Sequence, residues 1–398
     1  MPETRQPNLF LLLYALAWAG GSVAYVPFLT ILLPVKVSLL AGAGADVKWL
    51  AYIAFAGAIA ASLGHIGFGY LSDVTGHRRR WIWLGLALSS GLLVAVTRAT
   101  SLAGLIAVVL AWQLGLNMML APLAAWAGDC VPDSQKGLLG GLLAFAPAFG
   151  ALVGALVAIP GMATPGERFV LVAMIVAGCV VPVLAVGPPV RVVEPVPRRN
   201  EALGSEDAKG LLERAGAMRR MLLARLSLQI AEAALFSYLY FWFRSIDPVM
   251  TDSRTARILS AVLVLSAPIA LWTGHWADRR HRPLAPLVAC AVVSFAGLVG
   301  MALSRTLPAA IGTYALFGLA TSIFLALHSA QTLRVLPRSD RRGRDLGLFN
   351  LTNTVPSLIM PWLTLLLVPQ FGFSGLFLFL SGLALVAGLL LVRFPRRF

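Results

Sequence analysis

Apolar stretches of about 20 residues recur along the whole 398-residue chain, and they limit its possible folds more than any other feature. Inside a bilayer the backbone must satisfy its own hydrogen bonds, so such stretches form helices. The composition agrees, because only 12% of the residues are charged, against about 25% in an average soluble protein. The sequence therefore predicts an all-α polytopic membrane protein that sits in a lipid bilayer.

Charged, proline-rich and glycine-rich segments divide the apolar sequence into twelve predicted transmembrane helices, which form two sets of six. The first set is predicted at 9–33, 47–70, 81–97, 101–127, 137–160 and 168–190. The second set is predicted at 220–243, 256–278, 284–303, 308–332, 345–369 and 373–394. The only long polar segment lies between the sets, which predicts an N-terminal half at 1–190, a linker at 191–219 and a C-terminal half at 220–398.

The basic residues predict the orientation of the chain. The N-terminus, the even-numbered connectors and the C-terminus hold 24 of the 32 Lys and Arg residues. Short connectors rich in Lys and Arg face the cytoplasm in helical membrane proteins. Both termini and the linker are thus predicted to be cytoplasmic, in a cell membrane (plasma or inner). The net charge of +15 belongs to these connectors, so it does not indicate a nucleic-acid partner.

An internal repeat relates the two sets of helices. Asp73 and Asp278 stand 205 residues apart, and Pro132 and Pro337 have the same separation. Two landmarks at one offset indicate duplication of a six-helix unit. Many secondary transporters are built from such repeats, with their binding sites near the middle of the membrane.

The connector after the second predicted helix carries the clearest motif. Its sequence GYLSDVTGHRRR resembles the loop signature of the major facilitator superfamily, Gly-x-Leu-Ala-Asp-Arg-x-Gly-Arg-Lys, although Val74 replaces the first arginine. The connector after the eighth helix, GHWADRRHRP, resembles the same signature without its second glycine. The residues that match are Gly69, Asp73, Gly76 and Arg78 in the first copy and Gly274, Asp278 and Arg279 in the second. The resemblance implies a fold of two pseudo-symmetric six-helix halves that transports by alternating access.

The same resemblance implies a gate built from these motif residues. Asp73 is expected to face the positive N-terminal end of the eleventh helix near Asp345, and Arg78 is expected to pair with Asp129 at the end of the fourth helix. Asp278 would repeat the arrangement against the fifth helix near Gly137. Contacts of this kind bias a two-state equilibrium rather than bind substrate. The alternative is that the arginines only anchor the topology.

Two ionisable residues inside predicted helices are candidates for proton coupling, because ionisable groups are rare and functional at membrane depth. Glu232 is the one acid well inside a predicted helix, and a carboxyl held away from water can load and release a proton. The alternative is that it only fixes helix packing. His328 in the tenth helix can either titrate near neutral pH or serve as a hydrogen-bonded link between helices.

Aromatic and amide side chains on single helix faces predict a substrate cavity. Aromatic stripes also arise from packing alone, so this alternative stays open. The candidates are Tyr14, Trp18, Tyr25, Gln113, Asn117, Gln229, Tyr240, Thr321, Asn350, Asn353 and Thr354.

The sequence contains no nucleotide-binding loop, metal-ligand cluster or nucleophile–base pair, which argues against an enzyme, a cofactor or a bound metal. The stretches NMMLAPLAAWAGDCVPDSQKG and GRDLGLFNLTNTVPSLIMPWL are similar to the glycoside and sugar–cation symporter branch and its sucrose-transporter-like relatives. We therefore expect a monomer that takes up a small sugar- or glycoside-type solute with a proton or another cation. Export of amphipathic or drug-like compounds is the main alternative, and a membrane sensor that moves no solute is a minor one.

Overall fold

The computed structural model describes residues 5–41, 45–186, 208–280, 282, 284–335 and 342–392. Within these ranges every regular element is a helix, as the apolar stretches predict. Eleven of the helices are long and apolar enough to cross a membrane. They are α1 (Asn8–Ala41), α2 (Asp46–Thr75), α3 (Arg78–Arg98), α4 (Leu102–Cys130), α5 (Asp133–Leu143 and Ala146–Val157), α6 (Pro165–Val186), α7 (Ala208–Ile246), α8 (Asp252–Arg279), α9 (Ala285–Leu303), α10 (Leu307–Val335) and α11 (Arg342–Val392).

The last of these helices contains two of the predicted ones. In α11 the backbone is interrupted at Gly372, whose φ of 64° and ψ of −174° are not helical. Glycine adopts positive φ without the penalty that a Cβ atom would bring. The interruption lies where the predicted helices 345–369 and 373–394 meet, so the twelve predicted helices correspond to these eleven elements.

The start of the seventh helix and the end of the first differ most from the prediction. The seventh helix begins at Ala208 rather than at 220, so the part of the predicted linker from 208 to 219 is helical. A first helix ending at 33 was expected, since Pro34 and Lys36 follow, but α1 continues to Ala41 through a π-helical turn at Phe28–Leu32. The prediction was wrong because the charge of Lys36 is accommodated by the protein. Its Nζ donates a hydrogen bond of 3.0 Å to the backbone oxygen of Thr97 at the end of α3.

The chain divides into two compact units. The first unit comprises 1–194 and 236–264, and the second comprises 195–235 and 265–398. The first unit thus contains α1 to α6 together with the last part of α7 and the first part of α8. The second contains the rest of α7 and α8 and all of α9, α10 and α11. Division of the chain into symmetric halves stays a prediction.

Glycines allow the helices of the first unit to approach one another closely. A Cβ atom added to Gly85 of α3 would lie 2.3 Å from the backbone nitrogen of Met119 in α4, and one added to Gly115 of α4 would lie 3.1 Å from the nitrogen of Ser89. Gly150 of α5 faces the backbone of α1 in the same way. Small residues at helix interfaces are typical of membrane proteins, where van der Waals packing replaces the hydrophobic effect.

The second unit uses the same principle. Gly297 of α9 faces the backbone of α10, where an added Cβ would lie 2.8 Å from the nitrogen of Phe317. The two helices are also joined by a 3.0 Å hydrogen bond between the hydroxyls of Ser294 and Thr321. Close packing thus fixes α10, which carries several of the predicted site residues, against its neighbour.

Candidate functional site

The first motif begins where α2 ends. Gly76 closes the helix in the left-handed conformation, with φ of 65°, and its N–H donates to the backbone oxygen of Ser72 at 3.1 Å. Left-handed glycine is the commonest way to end a helix and reverse the chain. The turn brings the arginines of the motif, at the start of α3, back beside the end of α2.

Arg78 joins three helices at this end of the bundle, which we call the motif end. Its Nε donates to Asp129 at the end of α4 at 2.7 Å, and its Nη1 lies 2.5 Å from Asp73 Oδ1. The same Nη1 donates to the hydroxyl of Ser72 at 2.8 Å. The predicted pair of Arg78 with Asp129 is therefore present. The side chain of Asp73 remains 60% exposed beside Arg78.

The other contacts predicted for the motifs are not described by the structure. Contact between Asp73 and the start of the eleventh helix would join the two units, and it stays a prediction. The side chain of Asp278 lies outside the described residues. Near it, Arg279 is exposed and Gly274 lies close to Leu327, whose Cδ2 would be 3.2 Å from an added Cβ atom.

A second arginine–aspartate pair lies in the first unit at the end opposite the motif. Arg168, at the start of α6, donates through Nη1 to the carboxylate of Asp252, at the start of α8. Nearby, the hydroxyl of Ser260 in α8 donates to the backbone oxygen of Ala151 in α5 at 2.5 Å. These contacts connect helices from the two predicted halves. Sequence reasoning missed them, because no motif marks them.

The polar pair of α4 packs against α2. Gln113 and Asn117 are both buried, and Asn117 Nδ2 donates to the backbone oxygen of Gln113 at 2.9 Å. The Nδ1 of His65 in α2 lies 3.2 Å from Asn117 Oδ1, an oxygen that only accepts, so the histidine donates. Gly64 of α2 lies directly against Asn117. The two amides thus stabilise the α2–α4 interface, and His65 is a neighbour that the sequence reasoning did not consider.

The aromatic residues of α1 have different environments. Tyr14 is fully buried, and its hydroxyl donates to the backbone oxygen of Leu123 at 2.6 Å. This residue packs α1 against α4, so we do not carry it forward as a cavity residue. Trp18 and Tyr25 are partly exposed, and the ring of Tyr25 lies 6.3 Å from the ring of Phe236 in α7. Both stay candidates for a substrate cavity.

Two charged residues of the second unit lie on one face of α7. Glu232 lies in the middle of α7 and is partly exposed. Arg225, seven residues earlier on the same helix face, is only 6% exposed and interacts electrostatically with Glu232. Its Nη1 donates to the backbone oxygen of Leu325 in α10 at 3.2 Å. Tyr314 of α10 also interacts with the Glu232 charge.

The other ionisable candidate is held more rigidly. His328 is fully buried, and its Nε2 donates to the backbone oxygen of Met221 at 2.9 Å. Its ring stacks on Phe324 with 5.4 Å between centroids, and Arg225 is close enough to repel a second positive charge. Of the two roles considered from the sequence, these contacts favour a hydrogen-bonded link between α7 and α10.

The remaining candidates lie in the second unit, except Tyr240, which lies in the first unit, and they have four different environments. Thr321 is buried in its bond to Ser294, which gives it a packing role. Tyr240 is buried and accepts a 3.3 Å hydrogen bond from Arg244, whose guanidinium lies 5.5 Å from the tyrosine ring. Gln229 is partly exposed on the face of Glu232. The side chains of Asn350, Asn353 and Thr354 lie outside the described residues.

Arg225 is a buried charged residue that sequence reasoning missed. It was counted with the basic residues that set the orientation, because it lies near the start of the predicted seventh helix. Its spacing of seven from Glu232 was the available signal, since residues seven apart share a helix face. Among the described residues, no group of three or more His, Cys, Asp or Glu side chains could hold a metal ion.

Three solved structures with a similar fold are described as transporters. A bacterial homologue of the human lysosomal transporter Spinster, inward-facing and occupied, has a TM-score of 0.73 at 12% identity, covering 98% of this chain and 97% of that one. The nucleoside transporter NupG has a TM-score of 0.68 at 13% identity, covering 97% and 99%. The human organic anion transporter MFSD10 has a TM-score of 0.63 at 16% identity, covering 98% and 100%.

At these identities the solved structures show the fold alone. No curated protein sequence matches the chain. The family model of the Major Facilitator Superfamily, however, matches residues 8–311 and 250–398, which together span nearly the whole chain. The chain therefore belongs to the Major Facilitator Superfamily, and it is a multi-pass membrane transporter.

Proposed function

We propose that this protein takes up a small polar organic solute, of sugar or glycoside size, together with a proton. Glu232 carries the proton, and the two predicted halves alternate around a central cavity. The chain acts as a monomer in the cell membrane, with the motif end and both termini on the cytoplasmic side. The positive-inside bias of its connectors supports this orientation.

One observation carries the proposal: a carboxyl group lies in the middle of α7, partly exposed, with a buried arginine near it. A carboxylate facing lipid would be strongly unfavourable, so the partly exposed face must look into the protein interior. A group there can gain a proton when the interior opens to one side and lose it when the interior opens to the other. Coupling follows if the solute binds better to one of the two protonation states.

Glu232→Gln tests the proposal, because glutamine resembles the protonated side chain but cannot release a proton. In proteoliposomes with an inward proton gradient, the wild-type protein should accumulate its solute, whereas the variant should fail to accumulate it. The variant should still exchange labelled for unlabelled solute, since exchange needs no change of protonation. Accumulation by the variant at the wild-type level would remove Glu232 from the coupling role.

Glu167→Gln is the matched control. The same substitution, glutamate to glutamine, is made here at an exposed position. The Glu167 carboxylate caps α6 by accepting a 2.8 Å hydrogen bond from the N–H of Thr164. Glutamine can fill the same capping position, so this variant should accumulate solute normally.

The wild-type protein also distinguishes the alternative functions. Solute loss from preloaded vesicles under the inward gradient would show export, and no movement in either direction would show a non-transporting protein.

A further inference from the structure

His65 is an ionisable residue of the first unit that the proposed function does not use. It lies in α2, ten residues before the helix ends at Thr75, which places it about 15 Å along the helix from the motif end. The hydrocarbon core of a bilayer is about 30 Å thick, so His65 lies at membrane depth. Ionisable side chains at that depth are rare, and many belong to proton or ion pathways.

A hydrogen bond to α4 determines which ring nitrogen of His65 carries its hydrogen. Asn117 Nδ2 donates to the backbone oxygen of Gln113 at 2.9 Å, which fixes the donor end of the amide. The Nδ1 of His65 lies 3.2 Å from the other end, Asn117 Oδ1. Because an amide oxygen only accepts, Nδ1 of the neutral ring carries the hydrogen and Nε2 keeps a lone pair. Nε2 is therefore the atom that can take up a proton.

Nε2 of His65 is also available to a proton. It has no hydrogen-bond partner among the described residues, and the side chain is partly exposed. Ionisable side chains inside membrane spans face the protein interior or water rather than lipid. His328 has the opposite arrangement, since it is fully buried and its Nε2 already donates to the backbone oxygen of Met221. A proton can thus bind to His65 without breaking a hydrogen bond.

The nearest charged groups lie toward the motif end. Asp73 follows His65 by eight residues and Asp129 follows Asn117 by twelve, which correspond to about 12 and 18 Å along their helices. Arg78 binds both carboxylates, so it lies at the same level as they do.

The helices packed around His65 supply no counter-charge for it. α2 packs mainly against α4, the last part of α1, and α3. In the described parts of these four helices, no other titratable side chain makes an ion pair or hydrogen bond with His65. A proton on Nε2 therefore adds a charge that water, rather than a carboxylate, has to stabilise. The remaining titratable side chains are those of Tyr14, Tyr25, Lys36, Asp46, Lys48, Tyr52, Tyr70, Arg79, Arg80, Arg98 and Cys130.

We infer that His65 is a proton-binding residue of the first unit, whose Nε2 takes a proton from water and returns it to water. Asn117 is the positioning residue, because its bond to Nδ1 persists in both states. Only the Nε2–H bond forms and breaks, so no other reactant is needed. The inference goes beyond the proposed function and does not depend on Glu232, which lies in the second unit.

Nitrogen NMR of the whole chain in lipid nanodiscs, with nitrogen-15 in its histidines, tests the inference. At pH 8.5 the neutral His65 ring should carry its hydrogen on Nδ1 and none on Nε2. On acidification to pH 5, Nε2 should gain a hydrogen while Nδ1 keeps its own, because histidine changes charge in this range. A hydrogen on Nε2 at pH 8.5, or an unchanged Nε2 at pH 5, would overturn the inference.

His65→Asn identifies the signals of His65 among those of the five histidines. The asparagine amide nitrogen can replace Nδ1 as the donor to Asn117, so the contact between α2 and α4 is kept without a titratable nitrogen. His65→Gln removes the same signals and serves if His65→Asn does not fold.

Asn117→Leu tests the positioning role. It removes the acceptor, so the neutral His65 ring should show both tautomers in comparable amounts at pH 8.5. Asn117→Ala makes the same test without added volume. Gln113→Leu is the matched control, because only the backbone oxygen of Gln113 takes part in the Asn117 bond, and this variant should keep the hydrogen on Nδ1 alone. An unchanged ring in the Asn117 variants, or the same change in Gln113→Leu, would refute the assignment of Asn117.

Potentiometric titration separates this site from the one proposed at Glu232. Between pH 8.5 and 5, His65→Asn should bind about one proton fewer per chain than the wild-type protein. The same difference should appear between Glu232→Gln and the double variant. Equal proton binding within either pair would overturn the His65 site. Normal solute accumulation by Glu232→Gln would instead refute coupling at Glu232 and leave the His65 difference in place.

Discussion

Two arginine–aspartate arrangements in the first unit differ in what they join. Arg78 binds Asp73 and Asp129, which lie on helices consecutive with its own, and both carboxylates are more than half exposed. Arg168 binds Asp252, which follows it by 84 residues and lies beyond the linker between the predicted halves. This carboxylate is 22% exposed. The first arrangement joins helices of one predicted half and is exposed to water. The second joins helices of different predicted halves and is largely shielded from water.

The difference indicates two separate tasks. Contacts within one half can persist while the halves move as rigid bodies, so the Arg78 pairs hold α2, α3 and α4 in register. Contacts between helices of opposite halves must break whenever those helices separate. The pair of Arg168 with Asp252 is therefore expected to open and close during each transport cycle, and the Arg78 pairs are expected to stay formed.

Covalent linkage should produce the largest contrast between the two arrangements. In a protein with Cys130, Cys179 and Cys290 replaced by Ala, we expect a reducible bis-thiol linker between Arg168→Cys and Asp252→Cys to lower uptake more than tenfold. Reduction should restore uptake, because the linker prevents the helices from separating. The same linker between Arg78→Cys and Asp129→Cys should leave at least half of the uptake. Equal inhibition by the two links would refute the distinction.

Exchange of charges should have an intermediate effect. Arg168→Asp or Asp252→Arg alone should lower uptake about fivefold, because each variant places like charges together in a shielded position. The double variant should recover most of the loss. The corresponding exchange of Arg78 with Asp129 should not recover, since an aspartate at position 78 would face Asp73. Recovery in both cases, measured as initial uptake rates, would show that the two arrangements are equivalent.

Removal of the exposed pairs should have the smallest effect. Arg78→Ala should lower the free energy of unfolding by about 0.4–2 kcal/mol, because it removes two ion pairs to exposed carboxylates, which contribute about 0.2–1 kcal/mol each. Arg78→Lys should lose less, since it keeps the charge without the planar geometry. Thermal unfolding in detergent would measure both, and high salt should reduce the difference between them. A loss several times larger would mean that Arg78 has partners beyond the described contacts.

The helical fold could be predicted from the sequence, because a long apolar stretch in a bilayer satisfies its backbone hydrogen bonds by forming a helix. Most helix ends also followed, from charged residues and from Gly76. The end of α1 did not, because the acceptor for Lys36 is a backbone oxygen at residue 97. A charge that ends a helix and a charge that bonds to another helix look the same in the sequence.

The site was predictable only in part, for a related reason. Glu232 could be chosen as a candidate from the sequence, because an acid within an apolar helix is conspicuous by itself. The pair of Arg168 with Asp252 was not found, because both residues lie at helix ends, where charges are common. Tyr14 and Gln113 were expected in a cavity but pack between helices, and periodicity does not distinguish an inner face that contacts protein from one that contacts solute.

The reciprocal glycines Gly85 and Gly115 have a mechanical consequence. The backbones of α3 and α4 approach each other closely at two points, which leaves no room there for a larger side chain. The two helices therefore form one rigid pair. The ion pair of Arg78 with Asp129 joins the start of α3 to the end of α4. We therefore expect α3 and α4 to move together when the connector between α2 and α3 moves.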